Sequence, residues 1–191
     1  MCPKSVQVIR VLLECLLGET AYNPYYAALA GRLCAANHNH KFTLQYAMWD
    51  HFKQLDQMEV RRMANLASFL AAAVGQFFLS LAVLKVVDFN QLSSRGVFFY
   101  RAFLETLLLS VPSETLDTVC GRVATGANLS ALRDSLLFFL RVHMAPSKKK
   151  KGAGKDASKD ASKDASKDAS KDRELAKRVA AAEQALKGAS A

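Results

Sequence analysis

The stretch Gln45-Tyr46-Ala47-Met48-Trp49-Asp50-His51-Phe52 decides the fold class. With its flanks it sets Phe42, Tyr46, Trp49 and Phe52 three or four positions apart, the spacing of one stripe on a helix of 3.6 residues per turn. The pattern predicts a helix over 41–55, with that aromatic stripe in the core and Asp50 and Lys53 turned to water. Trp49, the one tryptophan of the chain, is read as a core anchor.

Working outward, Tyr22-Asn23-Pro24-Tyr25-Tyr26 is a helix start, with Asn23 as cap and Pro24 at the first helical position, where its missing N–H costs nothing. That helix is expected to run to about Ala36, and Asn37-His38-Asn39-His40 is expected to form a polar turn. Upstream, Val6, Ile9, Leu12, Leu13 and Leu16 predict a first helix from about Ser5 to Leu17, stopped at Gly18. Downstream, helices are expected at about Glu59 to Val74 and Phe77 to Val87, broken at Gly75-Gln76, with Asp88-Phe89-Asn90 as a loop. A long sixth helix from about Ser94 to Leu109 carries Val97, Phe98 and Phe99 as core and stops before Pro112. Ser113 is expected to cap a seventh to about Val123, and Asn128 an eighth to about His143. Strand signals are nearly absent. The fold class is therefore all-α, a HEAT-like stack of antiparallel helix pairs in which each pair buries its apolar stripe against its neighbours.

The chain has 191 residues, 51% of them hydrophobic, enough for one domain with a sizeable core. Its net charge of +9 is uneven: residues 1–147 hold 13 basic and 10 acidic side chains, whereas residues 148–191 hold 13 and 7. Concentrated positive charge at that end favours polyanions. Cys2, Cys15, Cys34 and Cys120 are scattered without metal-ligand or redox spacing, which fits a reducing compartment. The start, Met1-Cys2-Pro3-Lys4, shows no features of a secretory leader. Met63 to Leu84 holds 22 residues without a charge, the length of a membrane span, so crossing a bilayer is a rival reading. Asn65, Ser68, Gly75, Gln76 and Ser80 within it favour a buried helix pair instead.

Residues 146–172 read as a basic low-complexity linker, with Lys148, Lys149, Lys150 and Lys151 followed by four perfect Lys-Asp-Ala-Ser copies over 155–170. Such a segment has no large apolar side chains to bury, so disorder or a loose exposed helix is expected. From Arg173 to Leu186, the stripe Leu175, Val179, Ala182, Leu186 predicts a final charged helix. The division is thus 1–145 as the helical domain, 146–172 as linker and 173–188 as terminal helix.

Taken together, Tyr22 to Tyr26, Gln45 to Phe52 and Leu81 to Phe89 resemble the MI (MA-3) domain, above all the C-terminal MI domain of nucleolar proteins that also carry an initiation-factor-4G-type middle domain. That family also ends in a short charged helix after a variable spacer. The uncharged turn at Ala71 to Phe78 departs from its usual charged one. By the resemblance, an MI domain begins one or two helices earlier than this chain does, so an N-terminal truncation is expected. The resemblance implies a protein-docking scaffold in 18S rRNA processing and 40S assembly in the nucleolus, with a 4A-type DEAD-box helicase and pre-ribosomal factors as partners. A cytoplasmic regulator of translation initiation with the same domain is the alternative it leaves open. MI domains dock such helicases through polar and acidic interhelical loops, which implies Asp56, Glu59 and Asp88, together with the exposed Asp50 and Lys53. Lys148 to Lys151 are the candidate contacts to pre-rRNA.

No catalytic constellation stands out. There is no Gly-rich phosphate loop, Ser-x-x-Lys or nucleophile elbow, so an enzyme is not expected. His38-x-His40 lacks a companion cysteine or carboxylate, and no metal or cofactor is expected. Arg95-Gly96-Val97-Phe98-Phe99 matches a peptide motif that docks on protein phosphatase 1, to which the resembled family is linked. That motif works as an extended strand, while here it opens a helix.

Overall fold

Asn23 and Pro24 act as their residue types dictate. The Asn23 side chain accepts the Tyr25 N–H at 3.0 Å, and the helix proceeds from there. The computed structural model describes residues 3–144 and 162–188, with side chains for 7–144 and 170–188. Among these residues lie eight α-helices, two 3-10 turns and no strand: α1 Pro3–Gly18, α2 Tyr25–Ala36, α3 His38–Lys53, α4 Val60–Gly75, α5 Ser94–Ser110, α6 Ser113–Ala124, α7 Ser130–His143 and α8 Ser162–Lys187, with 3-10 turns at Leu55–Gln57 and Leu81–Val86. The all-helical, HEAT-like architecture is as expected.

Helix α1 buries Ile9, Leu12, Leu13, Leu16 and Leu17 against α3, α4 and α2. Its last carbonyls, left without intrahelical donors, are taken up from α4. Buried Asn65 donates to the Leu16 carbonyl at 3.3 Å and to that of Glu19 at 2.9 Å, and Arg61 donates to Gly18 and Glu19 at 3.0 and 2.9 Å. The alanines of α4, Ala67, Ala71 and Ala73, are buried, and α4 packs most extensively on α5. At the end of that contact a Cβ on Gly75 would meet the Val111 side chain at 3.1 Å, so a larger residue there would press Val111 aside by a few tenths of an ångström.

Several features differ from the sequence expectations. First, Phe77 to Val87 is not a helix. α4 ends with Phe77 at φ 62°, Leu79 N–H reaches back to the Ala73 carbonyl at 3.1 Å, and only the 3-10 turn Leu81–Val86 follows. The β-branched Val83, Val86 and Val87 are poor helix formers, and the Val83 carbonyl receives a side-chain donor instead. Second, the polar turn at 37–40 is the start of α3, because the Asn37 side chain accepts the Asn39 N–H at 2.9 Å. Third, the face of α3 turned to the core is His40, Thr43, Leu44 and Met48. Phe42 and Tyr46 are 46% and 54% exposed, while Trp49 and Phe52 are half-buried. Fourth, Phe99 is core, but Val97 is half-buried and Phe98 exposed. Ser113 and Asn128 are not caps: α6 begins at Ser113 after Pro112, and Leu129 precedes α7 without a capping side chain.

Fifth, the terminal helix starts at Ser162, inside the repeats, and packs on α6, α5 and α7. Val179, Ala182 and Leu186 are buried there. Arg178 donates to the Val111 carbonyl at 2.7 Å, Lys171 pairs with Glu105 at 2.8 Å, and Arg141 with Glu183 at 3.4 Å. Among the described residues no helix is long and apolar enough to cross a membrane.

Candidate protein-docking cleft

The end of α3 and the chain after the second 3-10 turn meet over a floor of aromatic rings. Phe52 lies 5.9 Å from Phe99 and 5.8 Å from Tyr100, and Phe89 lies 5.2 Å from Tyr100, all tilted or edge-on as ring quadrupoles favour. Burial raises the Tyr100 phenol above its ordinary range. Above this floor is a cleft of about 370 Å³. Trp49, Phe52, Lys53, Leu55 and Asp56 form one wall, and Val86, Val87, Asp88 and Gln91 to Ser93 form the other.

Side-chain bonds hold the walls in place. The Trp49 indole Nε1 donates to the Val83 carbonyl at 2.8 Å, fastening α3 to the 3-10 turn. The Ser93 hydroxyl donates to the Asp56 carboxylate and accepts the Gly96 N–H at 3.0 Å, so one residue caps α5 and ties down the cleft rim. Arg95 Nη1 donates to the Asp56 and Met58 carbonyls at 3.0 and 2.8 Å. Asp88 accepts the Asn90 N–H at 2.9 Å in an Asx turn, which leaves lone pairs free on its carboxylate. The segment resembling a phosphatase-docking peptide is thus the first turn of α5, with its arginine committed to the cleft.

Three of the five expected docking residues, Lys53, Asp56 and Asp88, line this one cleft. Asp50 lies beside it, 3.9 Å from Lys53; with side chains 61% and 78% exposed, the pair contributes little to stability. Glu59 does not join them. It pairs with Arg61 at 3.6 Å and opens on a separate hollow of about 350 Å³ with Glu14, His51, Gln54, Gln57 and Arg62. There Arg62 meets Glu14 at 3.0 Å, and burial holds the His51 imidazole below its ordinary pKa despite the nearby Glu14. Trp49 and Arg95, singled out in the sequence as a core anchor and as part of a peptide motif, are site residues here, and Ser93 joins them; its position before a helix, as a cap, was the one signal that could have drawn attention to it. Lys148 to Lys151 lie outside the described residues.

His38 stacks edge-on against Phe42 at 4.9 Å, and the buried His40 Nδ1 has no partner, so the His-x-His pair does not converge. Among the described residues no group of three or more His, Cys, Asp or Glu side chains could hold a metal ion. Burial raises the Cys34 thiol, and that of Cys120 to about 12, which keeps both protonated at neutral pH. The hydroxyl of Ser93 is engaged by the Asp56 carboxylate and the Gly96 N–H, a capping arrangement at the start of α5. What the cleft offers is an apolar slot with carboxylates and an ammonium at its rim.

A HEAT-like helical stack is the architecture of an MA3 domain, and residues 3–80 match the family described as MA3 domain. The chain carries an MA3 domain, the module of a non-catalytic adaptor family. It is 35% identical over 134 residues to the "Nucleolar MIF4G domain-containing protein 1" of Homo sapiens, across 70% of this chain and 16% of the human protein. The corresponding Drosophila melanogaster homolog is 34% identical over the same shares. "Suppressor of glycerol defect protein 1" of Schizosaccharomyces pombe is 30% identical over 116 residues, 56% of this chain and 15% of the yeast protein. The chain therefore spans about 16% of the length of the first two relatives, matching a C-terminal portion of such proteins.

Proposed function

We propose that this chain is a non-enzymatic docking module of the nucleolus that serves small-subunit ribosome biogenesis, seating a DEAD-box helicase of the initiation-factor-4A type in the cleft between α3 and α5. The observation that carries this reading is the convergence of the neighbouring Lys53 and Asp56 with Asp88, from a separate part of the sequence, on one apolar-floored slot. Rim charges orient an incoming protein and quicken its arrival, while the apolar floor slows its release. The nucleolar designation of the relatives supports the location. Lys148 to Lys151 add salt-sensitive contact to pre-rRNA, each phosphate neutralised on a single strand steepening the salt dependence by about 0.7 in log–log slope.

Calorimetric titration of the full chain with a purified 4A-type helicase tests the docking. Asp88→Lys is expected to lower affinity by at least about tenfold, a hot-spot-sized loss. Unchanged binding refutes the cleft as the site. A tagged chain that stays in the cytoplasm would instead favour the translational reading.

A further inference from the structure

We infer that the docking surface extends beyond the cleft along the outer face of α3, where a row of aromatic side chains receives an apolar helix face of the partner. This rests on the proposed helicase docking and assigns it a second, apolar half. His38, Phe42, Tyr46 and Trp49 follow one another along the solvent side of the helix at spacings of four, four and three. Their rings meet edge to face in two pairs, His38 with Phe42 at 4.9 Å and Tyr46 with Trp49 at 5.3 Å. Phe42 and Tyr46 are about half open to water, yet the spacing is that of a buried stripe. Contiguous exposed aromatic surface of this kind marks interaction sites, and Trp and Tyr are the residue types enriched at interface hot spots.

Two observations determine the occupant. The row is continuous with the cleft, because Trp49 is both its last member and part of the cleft wall, and Val86 at the cleft edge is itself exposed. The charges at that lower end include the carboxylates of Asp50, Asp56 and Asp88, of which Asp50 is matched by Lys53. Lys85 lies 5.8 Å from the Trp49 ring centroid, a cation already placed against that ring. A phosphodiester chain stacked on the aromatics would run into this carboxylate cluster, so single-stranded RNA fits poorly. A protein helix fits well. From residue 38 to 49 the row is about 17 Å long, about three helical turns. Its complement carries apolar residues at i, i+4 and i+7, with an arginine or lysine one turn beyond to meet Asp56 and Asp88.

The test is a calorimetric titration of the full chain and its variants with a purified 4A-type helicase. Phe42→Ser/Tyr46→Ser is expected to weaken binding by at least about fivefold, and Asp88→Lys by at least about tenfold. Tyr46→Ser alone, at the more exposed position, repeats the test should the double variant fail to fold. Binding by both aromatic variants within about fivefold of the parent, with Asp88→Lys weakened, overturns the extension and leaves the cleft reading standing. No binding by the parent chain overturns both. A parallel titration with oligouridylate, showing RNA affinity lost with Phe42 and Tyr46, would make the row a nucleic-acid platform and also overturn the inference.

Discussion

Replacing Trp49 with phenylalanine isolates the bond that ties α3 to the opposite cleft wall. A phenyl ring retains most of the packing of the half-buried indole but removes the donor to the Val83 carbonyl, 2.8 Å away. Loss of that hydrogen bond costs about 0.5–1.5 kcal/mol, and the smaller ring forfeits about a further 0.5 kcal/mol of apolar burial. The sum, about 1–2 kcal/mol, corresponds to a fall in Tm of about 2–8 °C for a chain of this size. Trp49→Ala removes packing as well and is expected to cost about 2–4 kcal/mol, short of a fully buried aromatic. Thermal melts followed by circular dichroism measure both. Because Val86 ends the fastened turn and Val87 and Asp88 directly follow it, affinity for the proposed helicase partner is expected to fall in the phenylalanine variant without any change at the rim. A phenylalanine variant melting within about 1 °C of the parent would refute the tether, and one no more stable than the alanine variant would show that the hydrogen bond alone, without packing, holds the wall.

Three other outcomes are expected. Phe77 combines a left-handed φ of 62° with a ring 4.7 Å from the Arg122 guanidinium, so Phe77→Gly relieves strain that Phe77→Ala retains. Chemical denaturation should find the glycine variant more stable than the alanine one by about 1 kcal/mol, the reverse of the usual order. His51 has a folded pKa below its unfolded value, so the unfolded chain binds the extra proton. Its stabilising share is full above about pH 6.5 and is lost as pH falls through the lowered folded value, and urea titrations should show His51→Gln flattening this acid-side decline. In a Cys2→Ser background, a maleimide should label exposed Cys15 promptly, and buried Cys34 and Cys120 only after denaturant is added; rapid labelling of all three would contradict the packing of α2 and α6.

The all-helical class was legible because leucines, phenylalanines and valines recur at three and four positions wherever a helix buries a face, as in Ile9 to Leu17 and Phe99 to Leu108. Periodicity says that a stripe exists, not which of two stripes faces inward. On α3 the bulkier Phe42 and Tyr46 were chosen over Leu44 and Met48, and the core took the latter. The helix expected at Phe77 to Val87 failed for another reason: its hydrophobicity reflects burial in a 3-10 turn whose carbonyl is satisfied by a tryptophan 34 residues upstream, a contact invisible to local pattern. Loop carboxylates Asp56 and Asp88 were reached only through family resemblance, since nothing local distinguishes them from solvated surface. Glu59, chosen on the same ground, faces the other hollow together with Gln57 and Met58, because the chain turns away from the cleft after Asp56.

Anchoring α8 on α5, α6 and α7 alters what the lysine run can do. Met144 and Ser162 both belong to parts of the chain fastened to the same body, so a polyanion held at Lys148 to Lys151, as proposed, would be tied to the stack at two points, and freeing α8 would leave it tied at one without changing a single charge.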